Sequence, residues 1–466
     1  MLNLRADHKL MDGIKIRRAL ISVFYKEGLA EIIQDLNDRG VEIFSTGGTK
    51  KYIQDCGIPV KSVESITGYP SILGGRVKTL HPAVFGGILA RKDHDDELSE
   101  HQLPRFDLVI VDLYPFEETV QNSEDESEII EKIDIGGISL IRAAAKNFRN
   151  CLIVSSRDQY GELLKLLVEH PDNIPINLSK KWAASAFRTS NHYDAQIFQY
   201  FNEDAIQDFT KSIKVSTSLR YGENPHQEAR FFGQMEDVIQ HIQGKALSYN
   251  NLIDIDSALH LIEEFNQDQA VFAVIKHTNA CGLAIGRNVD EAWDKALAGD
   301  PVSAFGGILI CNQTLDLETA KKINKIFFEV LLAPQFTEEC LAFFSSKKKK
   351  RCLIQYTPNK MPKQSFRSAI NGVLVQGADS LLQDDSRWEL KSKKSADEQM
   401  KKDLMLANAA VKHLKSNAIA LVKNKQLIGI GCGQTSRVDA LNQAIDKAKR
   451  MELPLKGAVL ASDAFF

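Results

Sequence analysis

Unbroken apolar runs alternate with helical periodicities along this chain, and that alternation constrains its fold more than any other feature. Residues 16–24, "IRRALISVF", read as a strand, and Leu29, Ile32, Ile33 and Leu36 follow at helical spacing within 27–39. "VEIFST" (41–46) is a second strand that runs through "GGT" into another helix. "FDLVIVDLYPF" (106–116) and "CLIVSS" (151–156) repeat the theme, the latter leading into a helix through "LLKLLVEH". Strands alternating with helices imply a parallel sheet, and strands covered on both faces lack polar alternation. A long helix is expected over 178–204, then a polar segment with a domain boundary near 205–215. The remainder is again mixed α/β, with buried strands expected at 270–275, 307–311, 372–375, 418–422 and 427–432.

The 466 residues carry Lys+Arg 58 against Asp+Glu 61, a net charge of -3. That balance argues against a general nucleic-acid or membrane-surface binder, but a few local cations suffice for a small anionic substrate. "SSKKKKR" (345–351) is a charge run without interleaved aromatics and reads as a solvated loop. Seven scattered Cys with no C-x-x-C read as reduced thiols, which points to the cytoplasm. The polar N-terminus has no apolar signal core, and no run reaches the ~18 apolar residues of a membrane span.

Several stretches carry chemistry rather than core. "STGGT" (45–49) lies between a strand and a helix; it reads as an anion cradle of helix N–H groups or as an ordinary tight turn. "GGRVKTLHP" (74–82) alternates Arg76, Lys78, Thr79 and His81 with Gly and Val. A surface loop explains it cheaply, but beside "STGGT" a phosphate site is the better reading. "DIGGISLIRAAAKN" (134–147) sets Asp134 before a glycine turn and Lys146 at a helix end, where its charge suits the helix dipole.

"RYGENPHQEARFF" (220–232) holds half of a zinc-deaminase signature, but P-C-x-x-C is absent throughout, so zinc is rejected. "AVIKHTNACGLAIG" (273–286) places Lys276 and His277 where a buried strand ends, the usual place for ligands in α/β folds. A neutral His there can accept a proton, and a neighbouring ammonium both favours the neutral imidazole and stabilises an oxyanion. "GIGCGQTSRVDA" (429–440) is not a dinucleotide fingerprint: Gly429, Gly431 and Gly433 alternate and Gln434 replaces the last Gly.

In order, "STGGT", "GGRVKTLHP", "LYPF", "IDIGG", "RAAAKN", "RYGENPHQ", "GKALSYNN", "KHTNACG", "SAFGG", "SNAI", "GCGQTSRVDA" and "ASDAFF" resemble the bifunctional AICAR transformylase/IMP cyclohydrolase family of purine biosynthesis. The resemblance implies an α/β chain. A methylglyoxal-synthase-like parallel-sheet domain (1–150) is followed by a helical extension and linker (151–212). A cytidine-deaminase-like transformylase region without the zinc, incomplete at its C-terminus relative to the family, takes up 213–466. It implies formyl transfer from 10-formyltetrahydrofolate to AICAR, then closure of formyl-AICAR to IMP with loss of water, with no catalytic metal. It also implies a homodimer acting on small molecules, without nucleic acid or membrane.

Residue by residue, the resemblance gives catalytic roles to Lys78, Tyr114, Asp134 and Lys146 in the first domain, and to Lys276, His277 and Asn417 in the second. Substrate binding falls to Ser22, Lys26, Thr46, Gly47, Gly48, Thr49, Arg76 and Thr79, and to Arg220, Tyr221, Asn251, Arg437 and Phe465. The chain departs from the family pattern at Phe24, Tyr25 and Glu27 of the first loop, at Phe85, and at Asp112, which replaces an amide. A Glu27 carboxylate near a phosphate would repel it. The chain also stops at "LASDAFF", where the family continues, which raises the expectation of an exposed aromatic edge and an impaired transformylase. The alternative is thus a single-activity or catalytically impaired nucleotide-binding homologue.

Overall fold

The computed structural model describes residues 13–202, 206–346, 351–381, 386 and 388–463, which fall into two compact units, Met1–Ser212 and Ile213–Phe466. Phe465, the lysine run at 347–350 and the first twelve residues lie outside that description.

In the first unit, β1 (Arg18–Ser22), β2 (Glu42–Ser45), β3 (Lys61–Ser62), β4 (Leu108–Val111) and β5 (Leu152–Val154) form a parallel sheet in the order β3-β2-β1-β4-β5. The connecting helices include α1 (Leu29–Asp38), α2 (Gly47–Asp55), α3 (Ile135–Lys146), α4 (Tyr160–Glu169) and the long α5 (Ile176–Asn202). Alternate strand residues point to opposite faces, and both faces are buried. Ile21, Ile43 and Ile110 meet Leu29, Ile32, Ile33 and Leu36 of α1 and Leu163 of α4. Leu20, Phe44 and Val109 meet Leu140, Ile141 and Ala144 of α3 and Ala183 and Ala186 of α5. The continuous apolar runs in the sequence follow from this double burial. The chain builds β1, β2 and β3 outward in one direction, then returns to place β4 on the other side of β1. The sheet therefore has a topological switch point between the carboxyl ends of β1 and β4, at Ser22 and Val111.

In the second unit the strands are β6 (Ile239–Gln243), β7 (Ala270–Lys276), β8 (Asn279–Gly286), β9 (Ile308–Cys311), β10 (Val330–Ala333), β11 (Cys352–Tyr356), β12 (Ile419–Lys423), β13 (Gln426–Gly431) and β14 (Val459–Ser462). Among the described residues they form one mixed sheet in the order β6-β11-β10-β9-β7-β8-β13-β12-β14. Helix α6 (Tyr249–Ile262) and helix α8 (Glu398–Lys412) cover one face; α7 (Val289–Gly299) covers the other, where Trp293 packs edge-on to Phe272 at 5.0 Å.

The run at 372–375 is not a buried strand. It lies within Gly372–Gly377, which pairs antiparallel with Gln364–Ala369 as a hairpin exposed along both strands. Apolarity alone cannot say whether a partner element will cover a strand. The alternating glycines of 429–433 have a packing explanation. A Cβ on Gly431 would stand 1.8 Å from the Ala440 carbonyl oxygen, and one on Gly429 would stand 2.3 Å from that of Ala444. Every second residue of β13 thus faces every fourth of helix α9 (Arg437–Arg450), and only glycine admits this approach.

Gly431→Ala is expected to lower stability by about 1–3 kcal/mol, seen as a lower urea midpoint, because backbone rather than a flexible side chain is struck. Gly161→Ala, with open space around a helical position, is expected to be neutral or stabilising by about 0.4–1 kcal/mol.

Candidate active sites

At the switch point of the first unit lies a cleft of about 520 Å³, a size that suits a nucleotide-like ligand. Its lining includes Ser22, Lys26, Thr46, Gly47, Gly48, Thr49, Arg76, Lys78, Thr79, Tyr114 and Asp134, which the fold gathers from five separate stretches. Helix α2 begins after Thr46, whose side chain makes no capping bond, so the first N–H groups of the helix face the cleft uncapped. Gly47 has φ 45 and Gly75 has φ 97, backbone that favours glycine. Gly75 makes room for Lys78, since a Cβ there would lie 2.6 Å from its Cε, and Gly47 stands beside the same side chain, 3.8 Å from its Nζ to where a Cβ would be. An ammonium beside a helix N-terminus is a site for an anion. Thr49 ties the helix to the loop after β1. Its hydroxyl donates to the Val23 carbonyl at 2.8 Å and accepts the Val23 N–H at 3.2 Å. The hydroxyls of Ser22 and Thr46 meet at 3.2 Å.

Asp134 caps α3, accepting the Gly137 N–H at 2.6 Å. Burial raises its carboxyl above the usual range, against the N–H bonds it accepts and the charge of Lys78. Tyr193 of α5 fixes the segment before it, accepting the Asp134 N–H at 2.8 Å and donating to the Lys132 carbonyl at 2.6 Å. Tyr114 lines the cleft, and burial followed by the charges of Asp134 and Glu131 raises its phenol. Thr79 packs on the head of α3, where a Cβ on Gly136 would lie 3.2 Å from its hydroxyl. Arg76 is paired with Glu131, which also lines the cleft, so an incoming anion competes with a carboxylate there. Lys26 is turned onto its own loop and donates to the Val23 and Phe24 carbonyls.

Lys146 is not brought to this cleft. It is exposed on the last turn of α3, and a helix of 12 residues carries it about 18 Å from the Asp134 end. Glu27 is also turned away, toward Arg157 at 3.8 Å, so the repulsion expected from the sequence does not arise at the cleft. Asp112, which appears in the sequence only as a departure, lines the cleft and holds the loop at 24–25.

In the second unit, Lys276 and His277 stand at the β7–β8 hairpin. His277 and Thr278 are its two turn residues, with φ 50 and φ 64. A two-residue turn with positive φ at both positions usually takes Asn-Gly, so this turn is held against its preference. Helix α6 supplies the hold. The Asp254 carboxylate accepts the Thr278 N–H at 2.8 Å, and the Ser257 hydroxyl donates to the Thr278 carbonyl at 2.9 Å. The Asn279 amide donates to the His277 carbonyl at 2.8 Å. Lys276 Nζ donates to the Phe305 carbonyl at 2.9 Å, within "SAFGG".

The strand register places Asn417 and Arg437 at the same end of the sheet. Ile419 pairs with Gly431, and β13 runs antiparallel to β8. The Asn417 amide donates to the Gln434 carbonyl at 3.0 Å. Arg437 donates to Ser462 at 2.7 Å and to Asp463 at 2.6 Å. Burial alone would raise Asp463, but bonds from Ser416, the Ala418 N–H and Arg437 hold it at about 2. Arg220 stacks over Tyr221 at 4.6 Å and bonds its hydroxyl at 2.7 Å. Asn251 is committed to capping α6, where its side-chain oxygen accepts from the N–H and hydroxyl of Ser248. Asp254 and Ser257 carry no local signal in the sequence, because their partner Thr278 lies 24 and 21 residues away. Among the described residues, no three His, Cys, Asp or Glu side chains converge as a metal site requires.

Residues 144–447 match the family described as AICARFT/IMPCHase bienzyme, and 28–139 match the MGS-like domain. The chain belongs to the AICARFT/IMPCHase bienzyme family. It is a purine-biosynthesis enzyme with AICAR formyltransferase and IMP cyclohydrolase activities. A protein of Bacteroides thetaiotaomicron named bifunctional purine biosynthesis protein PurH is 51% identical over 460 residues, spanning 98% of this chain and 90% of that protein. Its namesake in Natranaerobius thermophilus is 44% identical, over 97% of this chain and 89% of that protein. That of Bartonella bacilliformis is 42% identical, over 97% and 88%. These matches lend no support to the alternative of an impaired binding homologue. The bienzyme assignment also accounts for two separate polar constellations in one chain.

Asp254→Ala is expected to cut AICAR formyl transfer about tenfold by releasing the hairpin turn, the effect of removing a charged acceptor. Closure of added formyl-AICAR should be unchanged, and parallel assays of the two steps check both.

Proposed function

We propose that the two activities divide between the two units, with cyclisation at the cleft of the first and formyl transfer at the β7–β8 hairpin of the second. The observation that carries this reading is the gathering of Lys78, Tyr114, Asp134 and the uncapped head of α2 around one nucleotide-sized cleft. In cyclisation the carboxamide nitrogen of formyl-AICAR attacks the formyl carbon, a proton leaves the nitrogen and an oxyanion forms before water departs. The head of α2, with Ser22, Thr46 and Lys78, holds the phosphate. Asp134, its carboxyl raised by burial, moves the proton, and Tyr114 donates to the oxyanion. Lys146 takes no step, because α3 carries it away from the cleft.

In formyl transfer the 5-amino group of AICAR attacks the formyl carbon of 10-formyltetrahydrofolate, the co-substrate implied by the family resemblance. His277 accepts the amine proton, and Lys276 and Asn417 hold the tetrahedral oxyanion. Arg220, Tyr221 and Arg437 bind the nucleotide. Neither step as written uses a metal.

A homodimer is the assembly we propose, with a second copy covering the exposed hairpin, where Val373 is 43%, Leu374 60% and Val375 40% exposed. An isolated two-stranded hairpin is marginal in water, and exposed apolar patches mark contact surfaces. All seven cysteines are free, which supports the reducing cytoplasm. No helix of the described residues is long and apolar enough to cross a membrane. The net charge of -3 supports small-molecule partners rather than nucleic acid.

His277→Ala is expected to lower formyl transfer by at least about 100-fold while closure of supplied formyl-AICAR continues. Lys78→Ala should do the reverse, with formyl-AICAR accumulating in place of IMP. Chromatography of AICAR, formyl-AICAR and IMP reads both, and loss of both activities in either variant would sink the division.

A further inference from the structure

The β1–β4 switch point is bridged by one side chain. Asp112 follows β4 directly and is buried, and its carboxylate accepts two consecutive backbone N–H groups from the loop after β1, those of Phe24 and Tyr25, the latter at 3.1 Å. The same loop supplies Ser22, Val23, Phe24 and Lys26 to the cleft wall. Aromatic contacts also fasten it: Phe24 meets Tyr25 at 5.0 Å and Tyr114 at 5.6 Å, both edge-on, and Arg157 lies over Tyr25 at 4.3 Å. Asp112 and the Thr49 clamp on Val23 hold its backbone.

We propose that Asp112 is a positioning residue for cyclisation: its carboxylate clasps the loop at 24–25 across the switch point and holds that wall in the shape that accepts the substrate's phosphate. This rests on the assignment of the cleft to cyclisation. A carboxylate suits the task because it accepts both N–H groups at once, whereas a protonated carboxyl or an amide presents a donor to one of them. Burial raises the Asp112 carboxyl to about 6, against the two N–H bonds. The groups that face it are Lys26 and Tyr25 of the loop, Asp134 at the head of α3 and Tyr160 at the head of α4. Lys26 favours the charged form and Asp134 opposes it. The clasp is therefore closed above pH 6 and opens as pH falls through that value, so its loss appears as a raised KM on the acid side.

The test compares steady-state cyclisation of supplied formyl-AICAR by the full-length wild type and Asp112→Asn between pH 5 and 8.5. The substrate's phosphate gains a proton near pH 6 as well, so the quantity read is the ratio of the two KM values at each pH, in which that contribution cancels. The expected ratio is about tenfold at pH 8 and falls toward one by pH 5, with kcat changed less than about twofold, the size of one lost charged hydrogen bond. Asp112→Ser, which retains a short acceptor, should give the same pH-dependent convergence and serves if the amide variant fails to fold. A ratio near one at pH 8, or a ratio constant across the range, overturns the clasp. Lys78→Ala separates the two readings: if it leaves cyclisation intact, the cleft assignment falls, whereas a dead Lys78→Ala beside a flat Asp112 ratio removes only the clasp.

Discussion

Backbone N–H groups at the heads of two helices organise the N-terminal cleft. The first turn of α2 points uncapped into it, and the first turn of α3 is held by Asp134 on its other side. Such groups attract negative charge whatever side chains surround them. Their convergence is a property of the sheet: the strand order reverses between β1 and β4, so the loops after these strands part and leave a crevice. Lys78, Tyr114 and Asp112 are placed on its rim. Substituting a rim residue would alter the lining of the crevice; disturbing the strand order would remove the crevice itself.

The second unit solves its problem differently. Its hairpin turn at His277 and Thr278 has its backbone in a region that His and Thr rarely adopt. Long-range bonds from α6 impose that conformation. Strain of this kind persists only where surrounding structure over-determines it, and it aims a side chain more firmly than a relaxed loop would. The cluster of Ser416, Ala418 N–H and Arg437 about Asp463 plays a similar part for the segment carrying Asn417.

Much of this was legible in the chain. The apolar runs of β1, β2, β4 and β5, and the stripe Leu29, Ile32, Ile33, Leu36, are visible because burial on both faces leaves a local pattern. "GGRVKTLHP" stood out because it sets glycine beside cations, a composition that no core needs, and "STGGT" because it puts small residues between a strand and a helix. The exposed strand at 372–377 was misread because its apolar residues resemble a core run and only the absent neighbour distinguishes them. The direction in which Glu27 turns and the span of helix between Asp134 and Lys146 were not legible for a related reason: sequence gives the order of residues but not the direction in which a loop turns or where a helix carries its end.

What the sequence determined by itself is the set of elements and the inventory of chemistry: which segments bury both faces, where glycine permits a close approach, and which cations and carboxylates are available. Only the tertiary structure decided which of them meet. Asp112 clasps a loop 87 residues away, and Asp254 holds a turn 24 residues on. The physical reason is that secondary structure is set by periodicity within a few turns of chain, whereas a site is set by strand order and register. These depend on how whole faces pack, and no short window of sequence records that.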